Sequence, residues 1–186
     1  SMFMTVHAVW SMLLARLSGT RDIVVGTPIA GRGEAGLDNL VGMFVGTLAL
    51  RTDVSPHTTF MELAAATREA DLAAFDNTDV PFERLVDPLA PSRSTDHSPL
   101  FQVLLECQNN RTARLELPGL DVRGLEFDAG IAKFDLQLTV SENYDVDGSA
   151  AGLSMALTYA TDLFDEHSVR QFTDRFIALV DGVTRD

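Results

Sequence analysis

Residues 22 to 28 are Asp22-Ile23-Val24-Val25-Gly26-Thr27-Pro28, a short β-branched run that ends in glycine and proline. Isoleucine and valine favour strands, whereas glycine and proline interrupt them. The run therefore predicts a buried strand over residues 23–25 that leads into a loop. The predicted loop, residues 26–39, contains four glycines, and we interpret it as a tight loop that lines a cavity.

A helix is predicted before this strand, because apolar residues recur at spacings of three and four from Phe3 to Leu17. Gly19 is the predicted stop. After the loop, residues 40–54 are rich in Val, Phe, Leu and Thr, which predicts a second core strand.

Two further helices are predicted next. Thr59 and Glu62 have the spacing of a capping box, so a helix should run from there to about Phe75. Pro81 is suited to the first turn of a shorter helix, and the prolines that should close it are Pro88 and Pro91.

The second half of the chain predicts strands followed by a last helix. Strand-like runs cover residues 100–107, 120–127, 133–141 and 153–160, with a hairpin turn over residues 143–148. The last helix should open at Asp165 and share an apolar face between Val169 and Val180. Together these elements predict an α/β layered sandwich, a mixed sheet flanked by helices, built as a single unit over residues 1–186.

Composition narrows the possible partners. The chain has 27 acidic and 14 basic residues and a formal net charge of -13, which would repel a phosphate backbone. No uncharged apolar run is long enough to cross a membrane, and the start resembles no signal peptide. We therefore expect no nucleic-acid partner, no membrane partner and a cytoplasmic location.

Simple catalytic and ligand motifs are weakly supported. The block from Gly26 to Gly33 has Arg32 and Gly33 where a phosphate loop needs Lys and Ser or Thr. The four histidines, His7, His57, His97 and His167, lack zinc-ligand spacing. No Gly-x-Ser-x-Gly elbow surrounds Ser98. Metal, nucleotide and nucleophilic-serine sites are therefore not predicted.

The remaining polar candidates have ordinary explanations. Asp145 and Asp147 resemble the start of a calcium loop, but position twelve is Ala156 instead of Glu, so turn chemistry explains them better. Asp76 and Asp79 could form an acid-base pair, although Asp79 lies where helix capping is the commoner role. Cys107, the single cysteine, lies in an apolar run and is expected to be a buried structural thiol.

Several ordered sequence blocks resemble the condensation domains of nonribosomal peptide synthetases. They span nearly the whole chain, so the set is far more specific than any single block. The blocks are Val25-Gly26-Thr27-Pro28-Ile29-Ala30-Gly31-Arg32, Leu40-Val41-Gly42-Met43-Phe44-Val45-Gly46-Thr47-Leu48-Ala49-Leu50-Arg51, Asp79-Val80-Pro81-Phe82-Glu83-Arg84-Leu85-Val86, Ser98-Pro99-Leu100-Phe101-Gln102-Val103, Phe134-Asp135-Leu136 and Tyr159-Ala160-Thr161-Asp162-Leu163-Phe164-Asp165.

The resemblance implies one lobe, the C-terminal one, of a chloramphenicol-acetyltransferase-like fold. In this family two lobes enclose a tunnel, in which an amide forms between aminoacyl or peptidyl thioesters on phosphopantetheine arms. The implied partners are the N-terminal lobe, donor and acceptor peptidyl carrier proteins and a neighbouring adenylation domain. The family's His-His-x-x-x-Asp-Gly motif does not occur in these 186 residues. The fragment alone is therefore expected to be inactive, with no catalytic residue and no directly bound cofactor.

The resemblance also places candidate residues along the tunnel wall. They are Gly26, Thr27, Pro28, Gly31, Arg32, Gly42, Met43, Phe44 and Gly46.

Some positions in the blocks depart from the family pattern. Gly46 stands where the family commonly has Asn, so no side-chain hydrogen bond is expected from that position. Residues 77–79 are Asn-Thr-Asp instead of His-Gln-Asp, and residues 97–99 are His-Ser-Pro instead of Arg-Asn-Pro. Residues 110–128 could correspond to a crossover that reaches the other lobe.

Two other interpretations of the function of this chain remain open. The chain could be a non-catalytic carrier-docking or recruitment module of the same fold, or an α/β binding protein unrelated to the family. Residues 41–45 differ from the Val-Gly-Trp-Phe-Thr block of epimerisation domains, which favours condensation over epimerisation.

Overall fold

The computed structural model describes residues 1–33, 35–37, 39–55, 59–89, 97–108, 117, 119–120, 122, 125, 130–145 and 147–185. Helices and strands follow one another along these residues. They are α1 (Met2–Ser18), β1 (Asp22–Ile29), a short 3-10 helix (Ala35–Leu37), β2 (Gly46–Asp53), α2 (Phe60–Asp76), α3 (Phe82–Leu89), β3 (Val103–Gln108), β4 (Leu136–Tyr144), β5 (Ala150–Tyr159) and α4 (Glu166–Arg185).

The strands form one mixed sheet in the order β2-β1-β3-β4-β5. Strand β1 is antiparallel to β2 and parallel to β3, β3 is parallel to β4, and β4 is antiparallel to β5. Parallel neighbours require crossover connections, whereas a tight hairpin joins β4 to β5. This mixed sheet with flanking helices confirms the predicted α/β fold class.

One sheet face packs against α1 and α4 and forms the main core. The ring of Trp10 in α1 meets Phe176 of α4 edge-on, with ring centroids 5.5 Å apart. Sheet residues from three strands complete this core: Ile23, Val25, Leu105, Leu138 and Val140. Since side chains alternate along a strand, Gly26 faces the opposite side from Val25. There it meets Phe101, whose ring contacts Phe82 of α3 and Phe134.

The predicted ends of the first two strands are wrong. Strand β1 continues through Gly26, Thr27 and Pro28 to Ile29, because the whole segment pairs with residues 46–49 of β2. Pro28 is tolerated there, since only Val25 and Gly26 of β1 pair with β3 and the strand has a single neighbour beyond them. Residues 40–45 precede β2 instead of belonging to it.

The boundaries of the helices were predicted more closely than the ends of these strands. Gly19 ends α1 with a φ of 72°, and Thr59 and Glu62 form the expected capping box of α2. Asp165 caps α4 by accepting a hydrogen bond of 2.8 Å from the Ser168 amide. Pro88 lies inside α3 instead of ending it, and Pro91 lies outside the described residues.

One predicted strand in the second half of the chain falls largely outside the described residues, whereas the predicted hairpin turn falls largely within them. Of the predicted strand over residues 120–127, Leu120 forms an isolated bridge with Leu117, and Val122 and Leu125 belong to no strand. The hairpin turn is confirmed, because the Asp145 amide donates to the Ser149 carbonyl at 2.8 Å and Gly148 has a φ of 83°. None of the described helices is long and apolar enough to cross a membrane.

Candidate functional site

The candidate site is the segment between β1 and β2, residues 30–45, which we call the β1–β2 loop. Because β1, β3 and β4 run parallel, their carboxyl ends meet at the edge of the sheet where this loop begins. Open sheets with parallel strands commonly bind ligands outside those carboxyl ends. The topology therefore places the loop at the edge that is best suited to a site.

Gly31 lies where the loop closes on itself. Its φ of 61° is one that other residues rarely adopt, and a Cβ atom there would lie 1.8 Å from the carbonyl oxygen of Phe44. Only glycine fits this close approach of two backbone segments. The glycine thus serves a contact within the loop.

Arg32 holds the same part of the loop. Its Nη1 atom donates to the carbonyl oxygen of Leu40 at 2.9 Å and also to that of Leu37. Its guanidinium carbon lies 4.3 Å from the ring centroid of Phe44, the geometry of a cation-π contact.

The apolar residues beyond Arg32 divide between the two sides of the loop. Phe44 is half-buried, and an added Cβ at Gly42 would lie 3.1 Å from its ring. Val41 and Met43 are exposed, with relative exposures of 105% and 89%. The loop therefore displays apolar side chains to solvent and turns Phe44 inward.

The other candidate residues lie in or beside the sheet. Gly46 begins β2 opposite Ile29, whose side chain an added Cβ at Gly46 would approach to 3.2 Å. Thr27 is buried and Pro28 is half-buried. An added Cβ at Gly26 would lie 2.1 Å from the Phe101 ring, so this glycine makes room for an internal aromatic side chain.

The structure therefore brings Gly31, Arg32, Gly42, Phe44 and Gly46 together, with Met43 displayed beside them. Gly26 and Thr27 lie further back in β1, against the interior of the protein. Among the loop residues that the structure describes, none is a nucleophile with an adjacent base. In the part of the chain that the structure describes, no group of three His, Cys, Asp or Glu residues could hold a metal ion. The loop therefore contributes a fixed backbone shape and exposed apolar side chains.

A family comparison adds the deciding observation. The family model of the condensation domain matches residues 1–186. The chain belongs to the condensation-domain family. Among curated proteins, it is 44% identical to a probable non-canonical nonribosomal peptide synthetase, CymA, of Salinispora arenicola (strain CNS-205) over 186 residues, 100% of the chain and 2% of that protein. It is also 44% identical to a dimodular nonribosomal peptide synthase of Bacillus subtilis (strain 168), again over 100% of the chain but only 8% of that protein.

Solved structures agree with the family assignment. The X-domain from teicoplanin biosynthesis matches with a TM-score of 0.86 and 30% identity, covering 100% of this chain and 42% of that chain. The complex of that X-domain with OxyB matches with a TM-score of 0.85 and 32% identity, covering 100% and 40%. This condensation-family chain thus spans less than half of the solved domains that it matches, and a small part of the synthetases.

One buried polar cluster of this condensation-family chain was missed by the sequence analysis. His7 of α1 and Asp71 of α2 are both fully buried, and His7 Nδ1 lies 3.0 Å from Asp71 Oδ1. The other ring nitrogen of His7 lies 3.5 Å from Thr52 Oγ1. A signal was present in α2, because Leu63, Thr67 and Asp71 recur every four residues and all three are buried.

The remaining polar candidates occupy ordinary positions. Asp147 accepts hydrogen bonds of 2.9 and 2.7 Å from the amide and hydroxyl of Ser149, which lower the pKa of its carboxyl. His97 and His167 are exposed, and His57 lies outside the described residues. Asp76 and Asp79 are exposed.

Cys107 is only partly buried, not fully buried as expected. Desolvation, with Glu142 and Glu106 nearby, raises the pKa of its thiol to about 11. A thiol with so high a pKa is a poor nucleophile at neutral pH.

Proposed function

We propose that this chain is the C-terminal lobe of a condensation domain, which forms an amide bond between aminoacyl or peptidyl thioesters on carrier proteins. The match of the condensation-domain model to residues 1–186 is the observation that carries the proposal. The β1–β2 loop would form one wall of the tunnel, with the nine candidate residues along or behind it.

The chemistry divides between the two lobes. The acceptor amine attacks the donor thioester carbonyl, a C–N bond forms, the C–S bond breaks, and the thiol leaves with a proton. The proposal assigns the assisting histidine to the N-terminal lobe, because no two of the four histidines here are adjacent in sequence. This lobe's role is alignment, since a well-oriented pair of reactants can lower a barrier by about 7–11 kcal/mol at the extreme.

The loop's construction supports an alignment role. It is braced from inside by Gly31 and Arg32, and its outward residues Val41 and Met43 are apolar. A braced apolar wall suits a narrow tunnel for a phosphopantetheine arm better than a mobile polar loop would. The partners would be the N-terminal lobe, the donor and acceptor carrier proteins and an adjacent adenylation domain.

Recruitment of another enzyme is the second candidate function. The reason is the structural match to the X-domain in its complex with OxyB, at 32% identity. If this chain had such a role, its parent domain would bind a partner enzyme and form no amide.

A reconstitution with two loaded carriers tests the proposal. The chain would be produced together with the polypeptide segment that precedes it in its synthetase, and dipeptidyl thioester would be measured by mass spectrometry. We expect product from the two-lobe domain and none from residues 1–186 alone.

The control replaces the first-lobe motif histidine with alanine and should abolish product. Product from residues 1–186 alone would contradict the assignment of the assisting histidine to the N-terminal lobe. An inactive two-lobe domain with an intact histidine motif would remove the support for catalysis and favour recruitment.

A further inference from the structure

We propose that Arg32 is a positioning residue, which fixes the β1–β2 loop in shape and does not itself bind substrate. This inference rests on the proposed function, because it names what prepares the tunnel wall for its ligand. It also changes the role expected of Arg32, which the family resemblance places among the residues that line the tunnel.

The guanidinium group of Arg32 joins two parts of the loop. Arg32 Nη1 donates to two carbonyl oxygens, that of Leu37, which ends the 3-10 helix Ala35–Leu37, and that of Leu40, three residues later. These contacts tie the start of the loop to its middle. The planar fork of arginine suits such a task, whereas the ammonium of lysine offers no matching plane.

Arg32 and Gly31 also contact Phe44 near the end of the loop. The guanidinium carbon lies 4.3 Å from the centre of the Phe44 ring, and the Phe44 carbonyl packs onto Gly31 so closely that a Cβ atom would lie 1.8 Å away. Two consecutive residues, Gly31 and Arg32, thus hold the backbone and the ring of Phe44. The end of the loop is fixed by the same pair of residues that fixes its middle.

These contacts of Arg32 and Gly31 also affect which neighbouring side chains face solvent. With Phe44 held inward, Val41, Met43 and Val45 project outward, at 105%, 89% and 63% exposure. Exposed apolar side chains would normally collapse onto the protein surface if the loop were free to move. Arg32 therefore keeps these three side chains presented for contact with the ligand in the tunnel.

The experiment compares kinetics of the two-lobe domain with Arg32→Met, Arg32→Lys and a matched control, Arg170→Met. Arg170 is an exposed arginine on α4 paired with Glu166, far in sequence from the loop. We expect both Arg32 variants to lower kcat by roughly 10- to 100-fold, the effect of a small misplacement of reactants. The control should keep the wild-type rate.

The pattern of effects distinguishes positioning from substrate binding. Positioning predicts that lysine fails to rescue, that salt leaves the defect unchanged, and that Phe44→Ala adds little to Arg32→Met, because contacting residues are not additive. Binding of a phosphate by Arg32 predicts the opposite: rescue by lysine and a KM that rises with salt. That second pattern would overturn the proposal.

A measurement without turnover separates this inference from the proposed function. Thermolysin cleaves next to exposed apolar residues, so the loop in Arg32→Met should be cut several-fold faster within residues 40–45 than in wild type or Arg170→Met. Equal cleavage of all three proteins would contradict the bracing role. If the wild-type domain forms no amide but the Arg32 loop is cut faster, the proposed function fails while the bracing role stands.

Discussion

At the residue scale, the contact between His7 and Asp71 is a fully buried polar pair between two helices. Both side chains are fully buried, and the 3.0 Å contact joins α1 to α2. The second nitrogen of His7 lies near Thr52 of β2. One imidazole thus connects two helices and a strand, and removal of either partner leaves a buried polar group without compensation.

We expect His7→Leu and Asp71→Leu each to lower the free energy of unfolding by about 3–5 kcal/mol, as for other broken buried pairs. The double variant should cost less than the sum, because neither member of the pair is left buried without the other. Urea denaturation followed by circular dichroism measures all three values. A loss below about 1 kcal/mol in both single variants would show that the pair behaves like an exposed one.

Cys107 gives a second prediction at this scale. Desolvation, with Glu142 and Glu106 nearby, raises its pKa to about 11, so at pH 8 roughly 200-fold less thiolate is present than for a free cysteine of pKa about 8.5. Alkylation by iodoacetamide should be slower by up to about that factor, because a thiolate of higher pKa is also more nucleophilic, and should accelerate up to about pH 11. An alkylation rate that levels off near pH 8.5 would contradict this environment.

At the element scale, local signals predicted helices better than they predicted strand ends. The capping box of Thr59 and Glu62 and the stop at Gly19 involve neighbours in sequence, so the residues themselves reveal them. The end of β1 depends instead on pairing of Ile29 with Gly46, seventeen positions later in the sequence. Such pairing has no local signature, which is why Gly26 to Ile29 were assigned to a loop.

The candidate site could likewise be predicted only in part, because its tertiary contacts have no local signature in the sequence. The glycines of the β1–β2 loop and its flanking strands could be identified from the sequence, but not what each accommodates. Gly26 makes room for Phe101 and Gly31 for the Phe44 carbonyl, and both partners are brought there by tertiary structure. The link between His7 and Asp71 spans 64 positions and was equally invisible.

Alanine substitutions at two glycines test this account of the elements. Gly26→Ala places a Cβ 2.1 Å from the ring of Phe101, which is only 2% exposed and cannot move aside. We expect a loss of about 1–3 kcal/mol, the usual cost of overpacking. Gly33→Ala is the control, because among the described residues, its chain neighbours aside, no atom lies within 4 Å of the added Cβ. Thermal unfolding measures both, and equal melting temperatures would contradict the packing role of Gly26.

At the scale of the whole molecule, the chain is one mixed sheet whose glycine-bearing loop lies at the carboxyl ends of its parallel strands. Membership of the condensation-domain family was predictable from ordered blocks spread along the chain, because each block carries glycine, proline or aromatic residues at fixed places in the sequence. Nine candidate residues in those blocks were assigned to a tunnel wall, and one of them, Met43, is a large apolar side chain at 89% exposure.

A crosslinking rate tests the tunnel wall most directly. In the two-lobe domain, with Cys107→Ala to remove the native thiol, Met43→Cys would be compared with Ile177→Cys on α4. The native residue at position 177 is 49% exposed against 89% at Met43, a difference of less than twofold. A carrier protein with a bromoacetyl group on its phosphopantetheine arm supplies the probe. We predict that position 43 couples to the carrier at least ten times faster than position 177, because the docked arm raises the local concentration of the probe. Equal rates at the two positions would contradict the claim that this loop forms the wall of a substrate tunnel.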